Sequence, residues 1–246
     1  MLPEERLEAI VRIVSDNRSI TNQELADLTD SSLSTIRRDV TELASRGMVV
    51  KVHGGAMSVS DQTYASDSRM SERRTKNAEA KQKIAAYAAK LIKPGDVVYI
   101  DAGTTTEFLT DFITEKEAVY VTNAVSHAVR LVSKGLRVHV IGGMLKPVTE
   151  AVIGGEAVVS LRKFNFSLGF FGANGISSGA GITTPDINEA VVKQQAVNSC
   201  NRCYVLADSS KLDKVSTVRF ADPDDVIIIT EKLNAACKGC QMEVAQ

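Results

Sequence analysis

The stretch Val97-Val98-Tyr99-Ile100-Asp101-Ala102-Gly103-Thr104-Thr105-Thr106 decides the fold. Its apolar, β-rich start reads as a buried strand, and the small, hydroxylic residues after it turn the chain into a helix. The same pattern recurs downstream. Apolar runs stand at Val119–Val121, Val138–Ile141, Leu168–Phe171, Tyr204–Leu206 and Val226–Ile229, with helical stretches such as Ala124–Ser133 and Ile187–Ser199 between them. Strands alternating with helices predict an α/β architecture with a largely parallel sheet.

In such a sheet the segments that follow the strands gather at one edge, where open α/β folds bind ligands. Here they are Asp101 to Thr106, Thr122-Asn123, Gly142-Gly143, Gly172-Ala173-Asn174-Gly175 and Asp208-Ser209-Ser210-Lys211. All are small, polar or glycine-rich, which lets backbone amides approach a ligand. The Asp101–Thr106 segment leads into a helix, so its amides and the hydroxyls of Thr104, Thr105 and Thr106 can hold a phosphate at a helix N-terminus. Lys211 adds a point charge. Glu189 and Lys193, four apart on a helix, read as an ion pair or a solvated face, with ligand contact as the alternative.

The first sixty residues have a different period. Leu7, Ile10, Val11 and Val14 form one apolar stripe on a helix over about Pro3 to Asp16. Thr21 and Glu24 have the spacing of a capping box for a second helix, with Leu25, Ala26 and Leu28 as core contacts. Ser32 caps a third helix that ends near Gly47. On this helix Ile36, Val40 and Leu43 share the buried stripe, which turns Ser34, Arg38, Thr41 and Ser45 outward with Arg37 on the flank. Hydroxyls and guanidinium groups on one helix face suit a DNA groove. Met48 to Gly55 then reads as a β-hairpin wing with Lys51 and His53 near its tip. The stretch from Ser58 to Ala80 is polar and reads as a linker merging into a helix.

Composition narrows the possibilities. The 246 residues are 44% hydrophobic and 24% charged, with a formal net charge of −1, which excludes binding to nucleic acid by bulk charge. Without Trp and with 5% aromatics, stacking platforms for single strands are excluded as well. The charge is uneven. Residues 1–60 carry net −2, whereas 34–56 carry net +2, a narrow basic edge that calls for avidity from a dimer. The longest uncharged run, Phe164 to Pro185, contains five glycines and is too polar to span a bilayer. The N-terminus lacks the pattern of an export signal, so a cytoplasmic location is expected.

Cys200-Asn201-Arg202-Cys203 and Cys237-Lys238-Gly239-Cys240 are two C-x-x-C pairs, chemically suited to zinc. The 33 residues between them exceed the roughly 15–20 of a zinc ribbon. The expectation is therefore no metal, with Cys203 serving as a small core residue at the start of a strand.

Together these segments resemble the DeoR family of bacterial sugar-responsive transcription regulators over nearly the whole chain. The matching residues are Ser32-Leu33-Ser34-Thr35-Ile36-Arg37-Arg38-Asp39-Val40 and Lys51-Val52-His53-Gly54-Gly55-Ala56. Further along they are Asp101-Ala102-Gly103-Thr104-Thr105, Thr122-Asn123, Gly142-Gly143 and Asp208-Ser209-Ser210-Lys211. The resemblance implies a winged helix-turn-helix over 1–57, a linker over 58–74 and an α/β sensor domain over 75–246. The sensor would be similar to ribose-5-phosphate isomerase and CoA transferase folds. It also implies double-stranded operator DNA as partner, a phosphorylated sugar as effector, a homodimer or homotetramer, and no cofactor. Asn174-Gly175-Ile176 and Gly181 to Asp186 look most like fructose-operon repressors of Gram-positive bacteria, which implies fructose 1-phosphate. Ser31 and Ser209 depart from the family, which usually has an apolar residue at the first position and often His at the second.

The DNA-contact expectation covers Ser32, Ser34, Thr35, Arg37, Arg38, Thr41, Lys51 and His53. The effector expectation covers Asp101, Gly103, Thr104, Thr105, Thr106, Thr122, Asn123, Gly142, Gly143, Asn174, Gly175, Asp208, Ser210 and Lys211. The chain is read as a repressor and not an enzyme. The rivals are a sugar-phosphate isomerase with an appended helical domain, using Asp101 or Asp208 as base, and an adaptor whose N-terminal helices bind protein.

Overall fold

A computed structural model describes residues 3–17, 19–52, 54–58, 70–233, 237 and 239–245. The chain divides into two units, Met1–Thr63 and Tyr64–Gln246, each with its own core.

In the first unit, α1 (Pro3–Asn17), α2 (Asn22–Leu28) and α3 (Leu33–Ser45) pack beside a sheet of β1 (Ser19–Thr21), β2 (Val49–Val52) and β3 (Gly55–Ser58), in the order β1-β3-β2. Local chemistry starts both later helices. Thr21 and Glu24 form the expected capping box, and the Thr35 amide donates to Ser32 Oγ at 3.2 Å. Such caps contribute about 1 kcal/mol each. Gly47, at φ +71°, then ends the third helix. Leu7, Ile10, Val14, Leu25, Ile36, Val40 and Leu43 meet in one core, as their periodicity predicts. Leu28 does not join them. It is 62% exposed, and the inward place one residue on belongs to Thr29, whose hydroxyl donates to the Leu25 carbonyl. Ser31 leaves the turn closed, because its amide bonds the Ala26 carbonyl and its hydroxyl the Thr29 carbonyl. The third wing strand, β1, was not foreseen. It approaches so closely that a Cβ on Gly55 would lie 2.2 Å from the Ile20 carbonyl oxygen.

The second unit begins with α4 (Met70–Thr75), inside the stretch read as linker, and α5 (Ala78–Ala89). It continues with β4 (Val97–Ile100), α6 (Thr104–Phe112), β5 (Val119–Thr122), α7 (Val125–Ser133) and β6 (Arg137–Val140). A hairpin of β7 (Met144–Lys146) and β8 (Ala151–Ile153) precedes α8 (Gly155–Leu161) and β9 (Phe166–Gly172). Then follow β10 (Gly175–Ser177), β11 (Gly181–Thr184), α9 (Ile187–Asn198), β12 (Cys200–Leu206), β13 (Val218–Ala221), β14 (Ile227–Thr230) and β15 (Met242–Val244).

The main sheet has seven parallel strands in the order β15-β14-β12-β9-β4-β5-β6. Side chains alternate across it. Val98 and Ile100 pack with Ile84, Leu109 and Leu131 of α5, α6 and α7, whereas Tyr99 packs into the core that holds α8, α9 and the small sheet β10-β11-β13. The stretches after Gly143 and after Asn174, for which the sequence suggests no strand, form the short antiparallel pairs β7-β8 and β10-β11. The strand order decides the site. From β4 the chain runs outward to β5 and β6, and then returns to the other side of β4 with β9. That reversal opens a crevice at the carboxyl ends of β4 and β9.

Candidate functional site

Two surfaces carry chemistry, one in each unit. In the first, α3 and the wing frame a concavity lined by Arg37, Arg38, Thr41, Lys51, Asn22 and Gln23. Ser32, Ser34, Arg37, Arg38, Thr41 and Lys51 are exposed, and Thr35 is half-buried. Ser32 Oγ is occupied by its cap and lies within 2.9 Å of Ser34 Oγ and 2.8 Å of Thr35 Oγ1. Lys51 Nζ donates to Thr41 Oγ1 at 2.9 Å, which ties the wing to α3. The helix is held from behind by an ion pair that sequence reading missed, Arg6 Nε to Asp39 Oδ2 at 2.6 Å. Asp39 is buried, so the neighbouring arginines Arg37 and Arg38 stay free to face outward. His53 lies outside the described residues.

In the second unit a pocket opens at the crevice. Of the expected effector residues, it brings together Gly103, Thr104, Thr105, Asn174, Asp208, Ser210 and Lys211. Asp101 lies just beneath, buried. Lys193 donates a short hydrogen bond to its Oδ2 atom, which also accepts the Gly172 amide at 3.0 Å. Burial pushes the Asp101 carboxyl up, while Lys193 draws it down. Glu189 is not the partner of Lys193. It bonds Lys146 Nζ at 2.9 Å and Thr149 Oγ1 at 2.6 Å, so Glu189 and Lys193 form neither an ion pair with each other nor a solvated face, and both line the pocket.

Six further expected residues lie outside the pocket lining. Thr106 donates to the carbonyls of Asp101 and Gly103 and lies 3.3 Å from His127 Nε2. Burial lowers the His127 pKa to about 3, so its ring is neutral. Thr122 donates to the Ile100 carbonyl, and Asn123 accepts the Ala102 amide at 2.8 Å. These bonds set the shape of the loop after β4. Gly142 stands outside the pocket beside Gly143, where at φ +146° a Cβ would collide with the Ile153 carbonyl oxygen at 2.6 Å. A Cβ on Gly175 would meet the Lys214 carbonyl oxygen at 2.6 Å. Ser209 also points elsewhere, with its amide and hydroxyl both bonded to Glu231.

The pocket has four polar residues that sequence reading did not single out, Arg73, Lys76, Asn77 and Lys81, all from the corner between α4 and α5. Asn77 holds the corner in place. It adopts a left-handed backbone, φ +55°, and its amide donates to Asp208 Oδ1 at 2.8 Å and to Ser210 Oγ at 3.2 Å. Lys81 is buried and donates to the Arg73 carbonyl. Burial lowers its pKa to about 8 and also lowers that of Lys211. Three cations surround Lys81 and raise the cost of its charge, opposed by Asp208. The signal available in sequence was the run of basic residues at 73–81, which reads locally as a solvated face.

The four cysteines are free. Cys203 and Cys237 are buried in the core, and no cluster of ligands for a metal ion occurs among the described residues.

Sequence comparison finds a family match in each unit. The DeoR-like helix-turn-helix domain matches residues 6–62 and the DeoR C terminal sensor domain residues 76–232. The chain is 42% identical to the uncharacterized HTH-type transcriptional regulator FruR of Bacillus subtilis, over 94% of this chain and 91% of that protein. It is 32% identical to the lactose phosphotransferase system repressor of Staphylococcus aureus, over 92% and 90%. Ribose 5-phosphate isomerase A of Methanocaldococcus jannaschii superposes with a TM-score of 0.41 at 17% identity, covering 55% of each chain. With a DeoR-like helix-turn-helix domain matched over 6–62 and a DeoR C terminal sensor domain over 76–232, this chain belongs to the DeoR family of transcription regulators.

Proposed function

We propose that the protein is a repressor that binds operator DNA of sugar-utilisation genes and releases it when a phosphorylated sugar fills the pocket. The observation that carries this reading is the convergence of Arg73, Lys76, Lys81 and Lys211 on a crevice also lined by Gly103, Thr104, Thr105 and Asn174, whose acids Asp208 and Glu189 are already bonded by Asn77 and Lys146. Such a lining suits an anion attached to a polyol. Fructose 1-phosphate is the first candidate, supported by the identity with a regulator named FruR. Ser32, Ser34, Thr35, Arg37, Arg38, Thr41, Lys51 and His53 form the DNA-contacting set in this reading, which places the protein in the cytoplasm.

The pocket is suited to binding rather than to isomerisation. Each acid at the crevice has a structural partner: Asp101 Oδ2 accepts from Lys193, Asp208 from Asn77 and Ser210, and Glu189 from Lys146 and Thr149. A homo-oligomer completes the reading. Val125, Val129 and Val132 form an exposed apolar stripe on α7, beside the open edge of β6. An apolar helix face next to an unpaired strand edge suits a second copy of the chain. No helix among the described residues is long and apolar enough to cross a membrane.

The test is a thermal-shift and operator-release screen with fructose 1-phosphate, fructose 6-phosphate, ribose 5-phosphate and unphosphorylated fructose. Stabilisation and release by a phosphorylated member alone are expected. Interconversion of any of these sugars by the pure protein would replace the reading with an enzyme.

A further inference from the structure

The corner between α4 and α5 has more polar chemistry than its own folding requires. Arg73 Nε is buried and has no hydrogen-bond partner, whereas Arg74, Asn77 and Lys81 beside it are engaged. Among the described residues Arg73, Lys76, Lys81 and Lys211 have no carboxylate at ion-pair distance, and the two acids that line the pocket are engaged elsewhere, Asp208 with Asn77 and Ser210 and Glu189 with Lys146 and Thr149. Like charges brought this close repel one another, and burial weakens the water that would screen them. A dianion reverses the sign of every one of these interactions.

The corner is also mechanically connected. Arg74, next to Arg73 but outside the pocket, grips Glu107 of α6 with two parallel hydrogen bonds, Nε to Oε2 at 2.9 Å and Nη2 to Oε1 at 2.8 Å. Glu107 is 3% exposed and is held from α7 by Arg130 at 2.6 Å. It lies one turn along the helix whose first residues, Thr104 and Thr105, line the pocket. In chain order, α4 is the first described element after the wing strand β3.

We propose that the effector's phosphate seats on the cations of this corner, Arg73, Lys76 and Lys81, together with Lys211, rather than on the N-terminus of α6. Occupancy thereby fastens α4, and the Arg74–Glu107 grip carries that change into the unit's helical layer. This deepens the reading of the pocket as a phosphosugar site and rests on it. The ligand acts only through its higher affinity for the fastened state.

Hydrogen exchange on the full chain, with fructose 1-phosphate, inorganic phosphate and unphosphorylated fructose as probes, reads the seat directly. The expected result is slower exchange over 70–81 with the two phosphates and none with fructose. Protection confined to 101–108 places the phosphate at the helix N-terminus and overturns the proposal.

Arg74→Gln tests the transmission. Fructose 1-phosphate should bind this variant within about threefold of wild type by calorimetry, while the concentration that releases operator DNA rises about tenfold or more. Release at the wild-type concentration overturns the grip. Arg74→Lys, which keeps the charge and a single hydrogen bond, should fall between the two. Absence of binding by every sugar phosphate in the wild-type chain is a different failure. It overturns the phosphosugar reading itself, and this proposal with it.

Discussion

Lys193, on α9, reaches across the crevice to Asp101 at the end of β4, and the two form a buried ion pair beneath the pocket. The ammonium also donates to the Gly172 carbonyl at 3.1 Å and stands 5.3 Å from the centre of the Phe220 ring. Three elements distant in sequence are joined at this point, so the pair sets the floor on which a ligand would rest. Replacing Lys193 by Met strands the Asp101 carboxylate in the core. The expected loss is about 3–5 kcal/mol in denaturant unfolding, of which Asp101→Asn in the same chain recovers a part. Equal, additive losses for the two substitutions would show that the pair is not coupled.

Arg38→Ala should weaken operator binding by about 1–3 kcal/mol while leaving the thermal shift with sugar phosphate intact. The salt dependence of the remaining affinity separates two roles. A slope reduced by about one assigns Arg38 to a phosphate, whereas an unchanged slope with relaxed sequence preference assigns it to a base edge. Unchanged affinity at fixed salt would remove α3 from the DNA contact.

Lys211→Ala should leave operator binding unaltered and raise the effector concentration needed for release about tenfold. A full response at wild-type concentrations would take Lys211 out of the pocket's chemistry.

The pH dependence has two opposite signs. With its pKa lowered by burial to about 8, Lys81 is charged below that value and neutral above it in the folded chain. Affinity for a sugar phosphate should therefore fall as pH rises above about 8, after a plateau that begins near the second ionisation of the phosphate, about pH 6. Stability without ligand should move the other way. The folded chain holds this proton less tightly than the unfolded chain, so the contribution is present above the ordinary lysine value of 10.5 and is lost as pH falls toward 8. Calorimetry and denaturation across this range, with Lys81→Gln as control, read both. A control that keeps the alkaline loss of affinity would assign it to another group.

Val129→Glu places a charge on the stripe of α7, where the side chain is 65% exposed. A lone unit tolerates this at the surface, so stability should change by no more than about 0.5 kcal/mol. Sedimentation equilibrium should show dissociation of the oligomer, and operator affinity should fall with the loss of avidity. An unchanged mass distribution would move the interface elsewhere.

Much of this protein was legible in its sequence because the rules involved are local. The stripe of Ile36, Val40 and Leu43, the capping box of Thr21 and Glu24, and the strand runs at Val97 and Val119 each depend on neighbours within a turn or a pleat. These determined a helix-turn-helix followed by a parallel α/β unit, and the strand-end segments that meet at its edge. Tertiary structure alone decided which of those segments share a pocket. Sheet order is a non-local property, and the placement of β9 beside β4 brings Asn174 to Gly103 while leaving Gly142 outside. It also decided the chemistry of Lys81 and Lys193. A lysine in a polar stretch reads as a solvated charge, and only the packing of α5 and α9 against the sheet removes the water that would keep it so.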